Sequence, residues 1–95
     1  MATTREFDLG ETVQIYVEVK SYSGVLTDAT SVTVTVNNPD GTANLTATAM
    51  TRLSTGVYSY FLTTSAFTQY GWYPVLITET DTTNITLKRG GFVLR

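Results

Sequence analysis

The side chains in this sequence that could serve as a general base are two lysines, Lys20 and Lys88 near predicted strand ends, and eight carboxylates, and their spacing does not suggest catalysis. Histidine and cysteine are both absent, so the commonest general base and the most reactive nucleophile are missing. Hydrolysis by paired carboxylates requires two acids across a cleft, whereas these acids are scattered and lie mostly beside turns. We therefore predict that the protein is not an enzyme and that these groups are solvated surface charges. They are Glu6, Asp8, Glu11, Glu18, Asp28, Asp40, Glu79 and Asp81.

Oxygen-bearing side chains gather at two predicted turns, where a hard cation such as Ca²⁺ would find ligands. Asn37, Asn38 and Asp40 lie at one turn, and Asp8 and Glu11 flank the other. Asn and Asp in turns usually accept hydrogen bonds from their own backbone, and the spacing matches no dedicated calcium loop. We predict neither a metal ion nor any other cofactor.

Large apolar side chains that the alternation of predicted strands turns toward solvent are the most informative feature for function. If Tyr73, Val75 and Ile77 point inward, the residues that alternate with them point to solvent. The same alternation turns single aromatic residues outward on two other strands. Clustered exposed aromatic residues mark association sites, so we predict a protein–protein interface. The alternatives are that the N-terminal arm covers these side chains or that the phase is reversed. The predicted interface residues are Tyr16, Phe61, Trp72, Pro74 and Leu76.

The strands that must carry these side chains are clearest between Gly10 and Gly41, where two alternating runs flank a turn-rich joint. Strand side chains have a period of two, so each run predicts a half-buried strand with one apolar face. The second run ends at Asn38-Pro39-Asp40-Gly41, which favours a type I turn and therefore a hairpin. The inward residues are predicted to be Val13, Ile15, Val17 and Val19 in the first run, and Val32, Val34 and Val36 in the second.

The strand that returns from this hairpin, 42–50, contains small apolar residues at every second position. The pattern predicts that they share one face and allow close packing. These residues are Ala43, Leu45, Ala47 and Ala49.

Two later strands contain residues that do not suit a regular ladder. Pro74 cannot donate a backbone hydrogen bond, so we expect it at an edge, a bulge or a strand start. Gly90 and Gly91 interrupt the last strand and predict a bulge there.

Roughly seven strands, regular turn signals and no helical period predict an all-β, antiparallel two-sheet sandwich. A chain of 95 residues predicts one domain. We expect residues 1–8 to form a flexible arm or an edge strand that lays Phe7 on the core. Residues 9–95 then form the sandwich.

Five segments resemble a known family: L-G-E-T-V-Q-I-Y-V-E-V from Leu9, S-G-V-L-T-D-A from Ser23, V-T-V-T-V-N-N-P-D-G from Val32, S-T-G-V-Y-S-Y from Ser54 and Y-G-W-Y-P-V-L-I from Tyr70. Together they look like an immunoglobulin-like (Ig-like) sandwich of the macroglobulin and bacterial Ig-like type. The chain departs from that family at Leu9, where proline is frequent, and at Pro74, where a β-branched residue is usual. The resemblance implies an Ig-like β-sandwich that serves as a spacer, an adhesion module or a piece of a larger assembly.

The charge pattern and the hydropathy pattern limit the choice of partners and location. The net charge is −2 and no basic patch is visible, which argues against nucleic acid and against an anionic membrane surface. The N-terminal residues have no signal-peptide layout, and no apolar run approaches the roughly 20 residues that span a bilayer. We expect a cytoplasmic or virion location, or an extracellular one if the chain is a module excised from a larger protein.

The sequence therefore favours a structural or interaction module that associates with its own copies or enters a larger assembly. The first specific hypothesis is a viral capsid decoration or tail-associated protein. The second is a spacer or adhesion module of a larger cell-surface protein. A third is a carbohydrate-binding module in which Trp72 and neighbouring tyrosines stack on sugars. Threonine fills about one position in five, which predicts that it occupies the solvent faces of strands. The alternative, an ice-binding or glycosylated array, needs a regular T-x-T repeat on one flat face, and only Thr33 with Thr35 and Thr46 with Thr48 come close.

Overall fold

Two facing β-sheets make up the protein in the computed structural model, which describes residues 6–82 and 84–95. One sheet has five strands in the order β1-β8-β7-β3-β4, and the other has three in the order β2-β6-β5. The predicted all-β sandwich is confirmed, with eight strands in the described residues instead of about seven. They are β1 (Glu6–Phe7), β2 (Thr12–Glu18), β3 (Ser31–Asn37), β4 (Ala43–Ala49), β5 (Thr51–Ser54), β6 (Val57–Thr63), β7 (Gly71–Asp81) and β8 (Asn84–Leu94).

The core lies between the sheets and is built from alternate residues of five strands. Both valine-rich runs have the predicted phase, because every apolar residue expected to point inward in β2 and β3 is buried. Tyr58 and Leu62 of β6 close the core from the three-stranded sheet, and Tyr60 packs partly against it. The remaining buried apolar residues are Met50, Tyr73, Val75, Ile77, Phe92 and Leu94.

The hairpin predicted between β3 and β4 is present. The amide of Gly41 donates to the carbonyl of Asn38 at 2.9 Å, and the amide of Asn38 donates to the carbonyl of Thr42 at 2.8 Å. The Asp40 carboxylate accepts hydrogen bonds from the amide and hydroxyl of Thr42. The turn therefore satisfies its own polar groups, as expected for Asx residues in turns.

The prediction that four apolar residues of β4 share one face is wrong. Ala47 has a positive φ of 39°, and the pairing of β4 with β3 changes register around it. A bulge adds one residue and reverses the side-chain phase beyond it. Leu45 therefore packs against the core, whereas Ala49 is exposed.

β7 and β8 pair without interruption from Gly71 with Leu94 to Asp81 with Asn84. The bulge predicted at Gly90 and Gly91 is therefore absent, and the two glycines continue the strand. Pro74 lies inside β7, but the ladder between β7 and β3 begins only at Val75. The proline nitrogen faces that unpaired end, so no ladder hydrogen bond is lost there.

Tyr73 links the inner face of β7 to the loop before it. Its ring stacks on Phe92 at a centroid distance of 5.1 Å and on Phe67 at 5.3 Å. Its hydroxyl donates to the carbonyl of Gln69 at 2.6 Å. A buried tyrosine that bonds back to the backbone a few residues upstream is the tyrosine corner of Ig-like sandwiches. Burial raises the pKa of the Tyr73 hydroxyl above its ordinary value.

The first described residues add an edge strand to the larger sheet. β1 runs parallel to β8, with Glu6 beside Val93 and Phe7 beside Leu94. The Phe7 ring meets Phe92 edge-on at a centroid distance of 6.1 Å. Phe7 therefore lies against the core, where an edge strand would place it, and the first five residues of the predicted arm lie outside the described residues.

Candidate interaction surfaces

The structure divides the five predicted interface residues between two opposite faces of the sandwich. Trp72, Pro74 and Leu76 lie on the outer face of the five-stranded sheet, on β7. Tyr16 on β2 and Phe61 on β6 lie on the outer face of the three-stranded sheet. One contact surface cannot contain all five, so each face has to be considered by itself.

The outer face of β7 and β8 is the larger apolar surface, and we call it the β7–β8 face. Trp72 is 47% exposed, Pro74 is exposed and Leu76 is half-buried. β8 adds two apolar side chains that the sequence did not assign to a face, Ile85 at 65% exposure and Leu87 at 50%. Cross-strand pairing places Leu87 opposite Thr78 and therefore diagonal to Leu76. The face thus continues along both strands. Its members are Trp72, Pro74, Leu76, Ile85, Leu87 and Val93.

The Trp72 ring lies over Gly91, where the absence of a side chain leaves room for it. A Cβ atom at Gly91 would lie 2.6 Å from Cη2 of Trp72 and 2.6 Å from the carbonyl oxygen of Tyr73. No real Cβ atom makes contacts that short, so only glycine leaves this space open. Gly91 therefore has a positioning role for the indole ring and is not the bulge that the sequence predicted.

Threonines occupy the middle of the same sheet face. Thr33 pairs with Thr78, and Ser31 pairs with Thr80, across β3 and β7. Thr35 lies beside Leu76 on the neighbouring strand. By contrast, the other predicted pair, Thr46 and Thr48, flanks the bulge in β4. The threonine surface is therefore short and is bordered by apolar residues.

The opposite face carries a smaller apolar surface around Tyr16 and Phe61. Tyr16 is 50% exposed and Phe61 is 62% exposed. Tyr16 donates a hydrogen bond to the Glu18 carboxylate at 3.2 Å. Partial burial, together with that negative charge, raises the pKa of Tyr16. Tyr16 and Phe61 are diagonal neighbours, because Phe61 is paired with Gln14 and Tyr16 with Ser59.

An open groove of about 270 Å³ separates the strands β2 and β8 at one side of the sandwich. Inner residues of both sheets line it, namely Ile15 of β2, Val75 of β7 and Phe92 of β8. At the other side, between β4 and β5, the chain itself passes from one sheet to the other through Met50. The groove therefore gives access to the edge of the core beside β2 and β8.

Lys88 bridges the two sheets beside this groove. Its ammonium lies 3.1 Å from Oε2 of Glu79 and donates to the carbonyl of Glu18 at 2.6 Å. The prediction that Glu79 is a solvated charge is wrong, because the inward phase of β7 buries it to 6% exposure. Within the described residues Oε2 has no hydrogen-bond partner, so this ion pair provides its charge compensation.

Replacing Lys88 with alanine should lower the free energy of unfolding by about 1–3 kcal/mol, because it leaves the Glu79 charge buried without a partner. The control is Lys20→Ala, since Lys20 forms an exposed pair with Glu18 at 3.8 Å and its loss should cost at most about 0.5 kcal/mol. Urea unfolding measures both. Equal losses for the two variants would contradict the role given to Lys88.

Two of the other carboxylates, Asp28 and Asp40, form turn contacts. Asp28 accepts hydrogen bonds from Arg52 at 3.1 Å and from the amide of Gly56 at 2.9 Å. The Arg52 hydrogen bond, followed by that of Gly56, lowers the pKa of Asp28. The hydrogen bonds from the Thr42 side chain and backbone likewise lower the pKa of Asp40. Among residues 6–82 and 84–95, no group of three or more acidic side chains lies close enough to hold a metal ion.

Comparison with known proteins identifies the fold. A crystal structure of the Lin-41 filamin domain is similar to this chain, with a TM-score of 0.68 and 22% sequence identity. The match covers 100% of this chain and 87% of that domain. It supports an Ig-like β-sandwich in general and does not single out the macroglobulin or bacterial type. No family model matches the chain, and no curated protein is significantly similar to it. The described residues contain no helix that is long and apolar enough to cross a membrane.

Proposed function

We propose that this protein is a non-enzymatic interaction module that binds other proteins, including its own copies, through the β7–β8 face. The observation that carries the proposal is the row of apolar side chains that β7 and β8 present to solvent. Trp72, Ile85 and Leu87 are each about half exposed or more. Small monomeric domains seldom leave such a continuous apolar surface uncovered.

The composition of the face also suits protein recognition. Trp72 supplies a large aromatic side chain of the kind that dominates interface energies. Its ring already lies over Gly91, and a tryptophan side chain has only two rotatable bonds, so little conformational freedom is lost on binding. Arg89, paired with Leu76 across the strands, adds a charge within the apolar row. These features support a specific contact with a protein surface.

The kind of assembly that we propose is a multimeric particle, with a viral capsid decoration or tail-associated protein as the specific case. A flat sheet face on a small rigid sandwich can be covered by a shell while the opposite face remains free. This proposal places the chain in a virion or in the cytoplasm where particles assemble. If it is instead a spacer or adhesion module of a cell-surface protein, the same face would contact a neighbouring module.

The test compares matched substitutions on the two faces by sedimentation velocity over a range of concentrations. Trp72→Ser should weaken self-association by about thirtyfold, the effect of removing a contact residue worth roughly 2 kcal/mol. Phe61→Ser removes an aromatic residue of similar exposure from the opposite face and should leave association unchanged. Ile85→Ser repeats the test at a site away from the Gly91 contact. Equal effects of Trp72→Ser and Phe61→Ser would contradict the proposal.

A further inference from the structure

The edge of the five-stranded sheet at β8 has no partner strand from Asn84 to Gly91 among the described residues. β1 covers only the end of β8, at Val93 and Leu94. The uncovered part is a regular strand, because its pairing with β7 has no register shift. Unpaired strand edges are templates for the addition of another strand.

The direction of the β8 amides follows from the hydrogen bonds at its end. The amide of Arg95 donates to the carbonyl of Phe7, and the amide of Leu9 donates to the carbonyl of Arg95. The backbone groups of Arg95 therefore face outward from β7, and this direction alternates along a regular strand. Consequently the N–H and C=O groups of Ile85, Leu87 and Arg89 face the open edge and are not used in the ladder with β7.

The other sheet edges are less suited to pairing. The bulge at Ala47 interrupts β4, and β5 has only four residues with a register shift in its pairing to β6. On β2, the ammonium of Lys88 already occupies the carbonyl of Glu18. Bulges, short strands and covered backbone groups all discourage edge-to-edge pairing. β8 is therefore the longest uninterrupted free edge of the described residues.

The side chains of β8 do not oppose pairing with another β8. Lysine on an edge strand usually prevents association, but the Lys88 side chain is turned inward to Glu79. In an antiparallel pair centred on Leu87, each Arg89 lies opposite Ile85 of the other copy. The two Arg89 side chains are then far apart, and the two Leu87 side chains are adjacent on the apolar face.

We propose that two copies of this protein pair through their β8 edges, antiparallel and with Leu87 on the two-fold axis. The backbone of Leu87 then exchanges two hydrogen bonds with the backbone of its counterpart. Each Ile85 exchanges two more with Arg89 of the other copy, which makes about six backbone hydrogen bonds in all. The two five-stranded sheets become one continuous sheet, and the two β7–β8 faces become one apolar surface. This contact uses the backbone of the edge and is distinct from binding by the β7–β8 face itself.

Single cysteines test this geometry, because the chain contains no cysteine of its own. In the proposed dimer the Leu87 Cα atoms are about 5.5 Å apart, within the usual disulfide range of about 4.4–6.8 Å. Leu87→Cys should therefore form a covalent dimer on oxidation. Thr78 lies opposite Leu87 on β7, on the same face, but its two copies are about 15 Å apart, three strand spacings. Thr78→Cys should remain monomeric on denaturing gels.

The outcomes separate edge pairing from stacking of the faces. Cross-linking of Leu87→Cys without Thr78→Cys supports the proposal, whereas cross-linking of both, or of neither, overturns it. Adding Trp72→Ser to Leu87→Cys should not change the cross-linked fraction. Trp72 lies on β7, one strand away from the β8 contact, and is displaced along the strands from the two-fold axis at Leu87. The edge contact can therefore succeed or fail independently of the proposed binding by the β7–β8 face.

A proline substitution provides a second test that needs no oxidation. Leu87→Pro removes an amide that faces the open edge and takes no part in pairing with β7, so the fold should be retained, as monitored by circular dichroism. The dimerisation constant from sedimentation equilibrium should weaken about tenfold or more relative to that of Leu87→Ala, which loses the same side chain from the β7–β8 face but keeps the amide, because two intermolecular hydrogen bonds are lost only in the proline variant. A folded Leu87→Pro variant that dimerises as strongly as Leu87→Ala would overturn the proposal.

Discussion

Replacing Tyr73 with alanine is expected to lower the free energy of unfolding by about 4 kcal/mol, the loss typical of removing a large buried aromatic side chain. Tyr73 is fully buried and stacks on both Phe67 and Phe92. Its removal opens a cavity at the centre of the aromatic cluster and ends the hydrogen bond to Gln69. A domain of this size has a total free energy of unfolding of roughly 5–14 kcal/mol, so the variant should be much closer to unfolding than the original protein.

Two controls separate the parts of this effect. Tyr73→Phe keeps the stacked ring and removes only the hydroxyl, and should cost about 1 kcal/mol. Tyr70→Ala alters an exposed tyrosine, 63% accessible, and should change stability by at most about 0.5 kcal/mol. Urea unfolding followed by circular dichroism measures all three. A loss at Tyr73→Ala no larger than that at Tyr70→Ala would contradict the central position of the cluster.

Replacing Gly56 with alanine is expected to cost about 3 kcal/mol or more, because two separate penalties add. Gly56 has a φ of +72°, where an L-residue pays about 1–2 kcal/mol. A Cβ atom there would also lie 2.7 Å from the carbonyl oxygen of Val19 and 2.8 Å from the amide nitrogen of Thr27. Both contacts are with backbone, so no side chain can rotate to relieve them. The turn would have to move away from β2.

Gly24 provides a matched control for the conformational penalty. Its φ is +88°, but a Cβ atom there would meet nothing within 4 Å. Gly24→Ala should therefore cost only the conformational penalty of about 1–2 kcal/mol, and the difference between the two variants measures the close approach at Gly56. Thermal unfolding of both variants measures this difference. Equal losses would show that the turn before β6 does not rest tightly on the end of β2.

The features that the sequence predicted correctly follow from strictly local patterns. Alternation of valine with polar residues is sufficient to assign the buried faces of β2 and β3, because the period of two is a property of any strand. The turn at Asn38-Pro39-Asp40-Gly41 depends on the conformational preferences of its own residues. Trp72, Pro74 and Leu76 were placed outward by the same reasoning, once Tyr73 was assigned to the core.

The features that the sequence did not reveal depend on contacts between distant segments. The bulge at Ala47 arises in the pairing of β4 with β3, and no local signal distinguishes Ala47 from the other alanines of β4. The glycine pair of β8 predicts a bulge by local rules, but Gly91 instead accommodates the ring of Trp72. That error also hid the apolar face, because a bulge would have reversed the phase of Ile85 and Leu87 relative to Phe92.

The distribution of the predicted interface residues between two faces also depends on how distant segments pair. Local alternation shows that Tyr16, Phe61 and Trp72 point outward, but only the strand order shows which sheet each belongs to. β2 and β6 form one sheet, and β7 lies in the other. The burial of Glu79, by contrast, continues the inward phase of Tyr73, Val75 and Ile77 along β7. What local alternation could not show is the charge partner, because Lys88 pairs with Ile77 on the adjacent strand and reaches Glu79 across the inner face.

The most direct measurement of the central claim is the accessibility of Trp72 as a function of protein concentration. Trp72 is the single tryptophan of the chain and is about half exposed on the β7–β8 face, so its fluorescence reports on that face alone. If the face mediates association, quenching by acrylamide should decrease and the emission should shift to shorter wavelength as concentration rises. Quenching that stays constant while sedimentation shows assemblies larger than the dimer expected from β8 edge pairing would contradict the claim.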